Sequence, residues 1–318
     1  MSATQSRAAA WQPLSLSSHL DAAAPRGRVV AGRRYALFRD LAGAPRVLED
    51  RCAHRKAPLS LGRITPEGWL ECPYHGWSYS GENGDCLRIP NLASHETIPG
   101  KYCVGHFACA EHDGLIFVWD GPAAGADRSR LPDCPVPPGT ARGEGESLIT
   151  LPWTNLVATL LDAPSLLLDI PRVTLIDAHP LGEPVEEGGR LVVERAADWT
   201  STARRRRRTP AEYPLALRVA LTLDGRAAVI ALREPGANRV LLSAALHMAP
   251  VSDCVSALYW RWSATPPGGK AAAAAGKLAF SLRPGVDPAA MVAVHPYVSS
   301  VFAGRIPWAL TRPGVAAR

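Results

Sequence analysis

The pattern that most constrains this chain is Cys52-Ala53-His54, followed after seventeen residues by Cys72-Pro73-Tyr74-His75. Two cysteines and two histidines, paired on two short segments, are a metal-ligand set. Each pair follows a stretch that reads as a strand, so the four donors sit on two loops. Two chemistries use such a set. One zinc ion accepts two thiolates and two imidazoles. Alternatively, the thiolates hold one iron of a [2Fe–2S] cluster and the neutral imidazoles hold the other. Such a cluster is less negative than an all-cysteine one, and its potential lies higher, between about −150 and +300 mV.

The rest of the chain narrows the setting. Its 318 residues, 47% apolar and 20% charged, suit a globular protein of about two domains. No stretch approaches the ~20 apolar residues of a membrane-spanning helix. The opening MSATQSRAAAWQPLSL has no apolar secretory block, although its shortage of acids before Asp21 also fits a transit peptide. The net charge of +6 owes five charges to Arg204–Arg208. No aromatic residue is interleaved there to stack on bases, so a solvated loop and no nucleic-acid partner are expected. The seven cysteines, at 52, 72, 86, 103, 109, 134 and 254, are an odd set. They read as reduced thiols and metal ligands rather than a disulfide framework, which points to the cytoplasm.

Composition divides the chain into an Ala-rich arm (1–27), a strand-rich domain (28–122), a Gly/Pro/Asp-rich linker (123–146) and a second domain (147–318). The first domain shows strands over Arg28–Asp40 and Pro45–Glu49, a hairpin signal at Gly81–Asp85, and a buried strand at Gly114–Trp119. In the second, Leu156–Leu168 is the most helix-like run, although Pro164 interrupts it. Strand-like pieces follow at Leu191–Ala197, Leu215–Leu223, Ala227–Leu232, Val240–His247 and Ala257–Trp262. They suggest an antiparallel sheet. Ala271–Ala275 is low in complexity, and Ala289–Val294 reads as helical.

The text around the ligands decides between zinc and the iron cluster. Cys52-Ala-His54-Arg55-Lys-Ala-Pro58-Leu-Ser and Cys72-Pro-Tyr-His75-Gly76-Trp77 resemble the ligand loops of the Rieske non-haem iron oxygenase alpha subunits. Leu37-Phe38-Arg39-Asp40, Gly84-Asp-Cys86-Leu-Arg-Ile-Pro90 and Gly114-Leu-Ile-Phe-Val-Trp119 resemble the same family. The likeness covers about a third of the chain, from Trp11 to Gly121. Respiratory Rieske proteins carry an extra cysteine pair beside the ligand loops, and this chain has none. The resemblance implies an α+β chain: an all-β Rieske [2Fe–2S] domain, then a helix-grip-like antiparallel-sheet domain. Cys52, His54, Cys72 and His75 would hold the cluster.

In this family the second domain binds one iron through Asp-x-x-His-x-x-x-x-His after its first helix, plus a carboxylate. Here Asp162 is present, but Ser165 and Ile170 stand at the histidine positions. A one-residue shift gives Leu166 and Pro171. No histidine occurs between His112 and His179. Asp287 could align with the third ligand; Asp162 and Asp169, two helical turns apart, cannot share one ion, and His179 with His295 could take over only if the fold brings them together. The mononuclear Fe(II) site is therefore expected to be missing. The resemblance also implies that Asp162 links the cluster of one subunit to the iron of its neighbour.

The expected function is electron transfer by an auxiliary alpha-like subunit, in a trimer or hetero-oligomer with a homologous oxygenase alpha subunit. A ferredoxin or flavin reductase would supply electrons. The alternatives are a self-sufficient oxygenase with an altered metal site, acting on a small hydrophobic substrate, and a scaffolding pseudo-enzyme. A second pattern, Cys103-x-x-His106-x-x-Cys109-x-x-His112, is not expected to bind metal, because alternate residues of a strand face opposite ways.

Overall fold

The computed structural model describes residues 9–93, 95–200, 209, 212–265 and 279–283. The Arg204–Arg208 run, Ala271–Ala275, Asp287, Ala289–Val294 and His295 lie outside the described residues. The chain divides into two compact units, Met1–Asp133 and Cys134–Arg318.

The first unit is built from three small antiparallel sheets. In one, Leu115–Trp119 is flanked by Trp11–Leu16 and Cys109–His112. All six residues of Trp11–Leu16 are buried. The expected arm therefore ends before Trp11, because this segment pairs with a wholly buried apolar strand. The second sheet runs Arg26–Val30, Arg33–Arg39, Pro45–Glu49, His106–Phe107. The single strand expected from Arg28 to Asp40 is two strands, turned at Ala31-Gly32. Both turn residues have positive φ, 49° and 77°, which matches the twist of a tight hairpin. Asp40 forms the next turn by accepting from the backbone N–H groups of Ala42 and Ala44. The third sheet runs Arg63–Ile64, Leu70–Glu71, Ser78–Tyr79, Cys86–Arg88, and its last hairpin turns at Gly81–Asp85 as the sequence signals.

The second unit is an eight-stranded antiparallel sheet, with the helix Trp153–Asp162 as the α-helix among the described residues. From one edge the strands are Ala141–Ile149, Val255–Ala264, Arg239–Ser252, Ala227–Glu234, Leu215–Thr222, Arg190–Trp199 and Val173–Pro180; Val185–Glu187 also pairs with Arg190–Trp199. Helical spacing puts Trp153, Leu156, Val157, Leu160 and Leu161 on one stripe. These side chains share a core with Leu217, Ile230, Leu242, Leu246 and Leu258. Full burial of each is worth about 1.5–3 kcal/mol, and a ten-residue helix needs that support. The helix stops at Asp162, before Pro164 opens a 3-10 turn.

The expected linker to residue 146 is shorter than its composition suggests. Ala141–Ile149 is an edge strand, with Gly143 opposite Trp262 and Gly145 opposite Trp260. A Cβ on either glycine would lie 2.6 and 2.4 Å, respectively, from the indole. The glycines that read as loop are there to seat two tryptophans. No helix among the described residues is long and apolar enough to cross a membrane.

Candidate metal centre

The two ligand loops share one backbone design. In the first, Cys52 N–H donates to the Ala57 carbonyl (2.9 Å) and Lys56 N–H to the Cys52 carbonyl (3.0 Å). In the second, Cys72 N–H donates to the Trp77 carbonyl (2.8 Å) and Gly76 N–H to the Cys72 carbonyl (3.1 Å). Both need a left-handed residue at the fifth position. Gly76 adopts φ 69° without strain, and Lys56 adopts φ 60°, a conformation unfavourable for a residue with a Cβ. Buried Asp50 anchors the first loop by accepting from the Ser60 backbone N–H and hydroxyl at 2.7 and 2.8 Å. Glu71 precedes the second loop and is held by Arg63 at 2.6 Å.

The loops bring the four expected ligands together as two unlike pairs. The thiols of Cys52 and Cys72 are buried, 1% and 3% exposed, while His54 and His75 are exposed. The imidazole centroids lie 4.7 Å apart. Trp77 stacks on His54 at 4.7 Å and 3°, and Tyr74 lies 3.9 Å from His75. Burial pushes the Cys72 thiol up, opposed by the Tyr74 backbone N–H, and neighbouring Cys52 pushes it up further. Thiols so placed need nearby positive charge to ionise, which metal supplies. His54 is held below its ordinary range by desolvation, then by His75 and Arg55. This favours the neutral imidazole that binds metal.

The spacing separates the two candidate metals. Around tetrahedral zinc, donors sit about 3.3–3.8 Å from one another. Among the described residues, the group of three or more such donors that lies within 4.8 Å is His112, Asp113 and Asp133. The Cys52, His54, Cys72, His75 set is wider, as two metal atoms require. Its buried thiols and exposed imidazoles fit a [2Fe–2S] cluster with its histidine-bound iron toward solvent.

Tyr79 is a residue that sequence reasoning missed. Its oxygen accepts from the Ala53 N–H at 3.1 Å and lies 3.1 Å from Cys52 Sγ. Burial, then Cys52, pushes its pKa up, so the hydroxyl keeps a proton that it can donate to a metal-bound thiolate. Its position seven residues after Cys72, in the strand leaving the loop, was the available signal.

The second cysteine–histidine pattern is dispersed. His106 pairs in one sheet and Cys109 and His112 in another, while Cys103 is exposed. Cys109 donates to the Pro45 carbonyl at 3.0 Å, and burial pushes its pKa up to about 11. Burial likewise pushes half-buried Cys86 up to about 11.

In the second unit, the residues at the expected iron positions do not form an iron site. Asp162 ends the helix and is buried. Ser165 donates its backbone N–H (3.2 Å) and its hydroxyl to the carboxylate of Asp177. Ile170 is buried in the apolar core, and Leu166 packs against it. Asp169 lies in a short strand paired with Ser281. His179 lies 5.4 Å from the Tyr213 ring. Beside Asp162 and Asp177 stands the buried guanidinium of Arg195. A hydroxyl, two carboxylates and a guanidinium, with no imidazole among them, do not fit a ferrous ion of the two-histidine, one-carboxylate kind.

Residues 10–99 match the family described as Rieske [2Fe-2S] domain. The chain is 38% identical over 122 residues to "Protein TIC 55, chloroplastic" of Arabidopsis thaliana, a match covering 38% of this chain and 22% of that protein. It is 36% identical over 155 residues to the oxygenase component of dicamba O-demethylase of Stenotrophomonas maltophilia, covering 48% of this chain and 44% of that one. The chain thus spans less than half the length of these curated relatives. A crystal structure of dicamba monooxygenase bound to 3,6-dichlorosalicylic acid superposes with a TM-score of 0.62, over 94% of this chain and 83% of that one, at 21% identity. The fold therefore extends across both units.

Proposed function

Since this chain carries a Rieske [2Fe–2S] domain and is a relative of the Rieske non-haem iron oxygenases, we propose that it is an electron-transfer subunit of such a system, with a homologous chain supplying the oxygen-activating iron. The observation that carries this reading is the contrast between the two units. Cys52, His54, Cys72 and His75 converge, while Ser165 and Ile170 stand where the second unit would need imidazoles.

A cluster held by these four residues supplies one-electron chemistry at a potential of about −150 to +300 mV. The protein provides everything around it. Cys52 and Cys72 keep the thiolate side away from water, and the exposed edges of His54 and His75 offer the shortest route to a docked carrier. Tyr79 gives Cys52 Sγ a hydrogen bond, and Trp77 covers one face of His54. Arg55 and Lys56 adjoin His54 and suit an acidic donor such as a ferredoxin; a flavin reductase is the other donor class. Asp162 would lie on the path to the partner's iron in a trimer or hetero-oligomer. None of the seven cysteines is joined in a disulfide, in keeping with a reducing, cytoplasmic setting.

The test is a metal count with single turnover. Purified anaerobically, the chain should hold the two irons and two sulfides of a Rieske cluster and give its paramagnetic resonance signal on reduction. It should retain no further iron after incubation with ferrous ion, and form no oxygenated product until a homologous alpha subunit is added. A third iron per chain, with product from this chain alone, would restore the self-sufficient oxygenase.

A further inference from the structure

The Arg195 cluster in the second unit does more than lack imidazoles. Three backbone segments meet at the end of the helix Trp153–Asp162. Arg195 comes from the strand Arg190–Trp199 and is 5% exposed. Its Nη2 donates to the Asp162 carbonyl at 3.2 Å, and its Nε to the Asp177 carbonyl at 3.2 Å. The first bond satisfies one of the carbonyls that every helix leaves open at its C-terminus, where a positive charge is also favoured. The Asp177 carboxylate takes two bonds from Ser165.

Charge closes the cluster. Asp177 and Asp162 both attract Arg195 and work against the burial that would discharge it. Burial holds the Asp177 carboxyl above its ordinary value, opposed first by the two Ser165 hydrogen bonds and then by the charges of Arg195 and Arg283. Arg283 is tied to the same neighbourhood, with its N–H on the Leu167 carbonyl at 2.9 Å and its Nε on the Leu168 carbonyl at 3.2 Å. Arg195, bonded to the backbone of both acidic residues, thus places one buried guanidinium beside two carboxylates, and Arg283 adds a second positive charge near Asp177.

We propose that Arg195 is the resident cation of the second unit, compensating Asp162 and Asp177 in place of a metal ion and thereby excluding divalent metal. The inference rests on the reading that this unit is not itself an oxygenase centre. Arginine suits the role because it stays charged when buried and its planar fork reaches two acceptors at once. A ferrous ion would have to displace or approach a fixed positive charge, in a place where charges are weakly screened.

Cobalt(II) is a suitable probe, since elemental analysis distinguishes it from the cluster's iron. In equilibrium dialysis of the cluster-loaded chain, native protein and Arg195→Lys should take up no cobalt beyond background. Arg195→Met should bind cobalt at least tenfold more tightly than native protein and recover, on adding it, part of a lowered melting temperature. Asp177→Asn in the same chain should remove that gain. If Arg195→Met does not fold, Arg195→Gln, which keeps a donor toward the two carbonyls, is read in the same way. Cobalt on the native chain at one equivalent would overturn the proposal. So would neutral variants that gain none, an outcome that leaves the electron-transfer reading intact, because only oxygenated product from this chain alone defeats that reading.

Discussion

Tyr79 is placed to tune the potential of a cluster held by Cys52. A hydroxyl donating to a cluster sulfur stabilises the reduced, more negative state more than the oxidised one. Its 3.1 Å approach to Cys52 Sγ gives that bond a direct effect on potential. Tyr79→Phe should keep both irons and lower the midpoint by on the order of 50 mV, the one-electron equivalent of roughly 1 kcal/mol. Protein-film voltammetry checks this, and an unchanged midpoint would mean the hydroxyl serves only Ala53. The four candidate ligands could be named from sequence because metal chemistry allows few residue types at few spacings. Tyr79 was not, because its role depends on a strand turning its hydroxyl back onto the first loop.

At the scale of elements, the edge strand Ala141–Ile149 shows how composition misleads. Alternating Gly and Glu reads as linker, yet Trp260 and Trp262 on the neighbouring strand cover the bare backbone. A valine at Gly145 would have excellent strand propensity and still be wrong, since its Cβ falls 2.4 Å from the Trp260 ring. Gly145→Val should destabilise the second unit by about 1–3 kcal/mol through overpacking. Urea unfolding followed by tryptophan fluorescence reads that loss, and a neutral result would show the indole free to move aside. The helix was easier to find, but both ends of the expected run Leu156–Leu168 moved: the stripe with the 3.6-residue period begins at Trp153, and Leu166–Leu168 only continue the apolar text beyond Pro164.

At the scale of the whole molecule, the first unit ties two of its sheets with one polar knot. Arg39, closing one strand, reaches Glu111 on another sheet at 2.9 Å, and Ser17 bonds both. The Arg39 hydrogen bond, against a smaller opposing effect of burial, holds Glu111 below its ordinary value of 4.5. A carboxylate whose folded pKa is depressed adds stability above its unfolded value, and that stability is lost as pH falls through the lower folded value. Glu111→Gln should therefore cost stability at pH 7, and the native and variant proteins should converge as the pH falls through the depressed folded value, below the ordinary carboxylate range. Denaturant midpoints across that range give the answer; parallel curves would show that the pair contributes no linkage.

The sequence by itself determined the metal chemistry, the all-β character of the first unit and the absence of histidines where a mononuclear iron would need them. Each follows from local text: donor types at fixed spacing, turn residues at fixed offsets, or the identity of single residues. Only the tertiary structure decided what fills the second site. Arg195 lies thirty-three residues from Asp162 and eighteen from Asp177, and nothing in their spacing links them. The adjacent Glu194 and Arg195 inside the otherwise apolar run Leu191–Ala197 were the visible hint. Its meaning came only when pairing with the strand Val173–Pro180 placed a buried guanidinium beside two carboxylates, because electrostatic compensation acts through space and leaves no period along the chain.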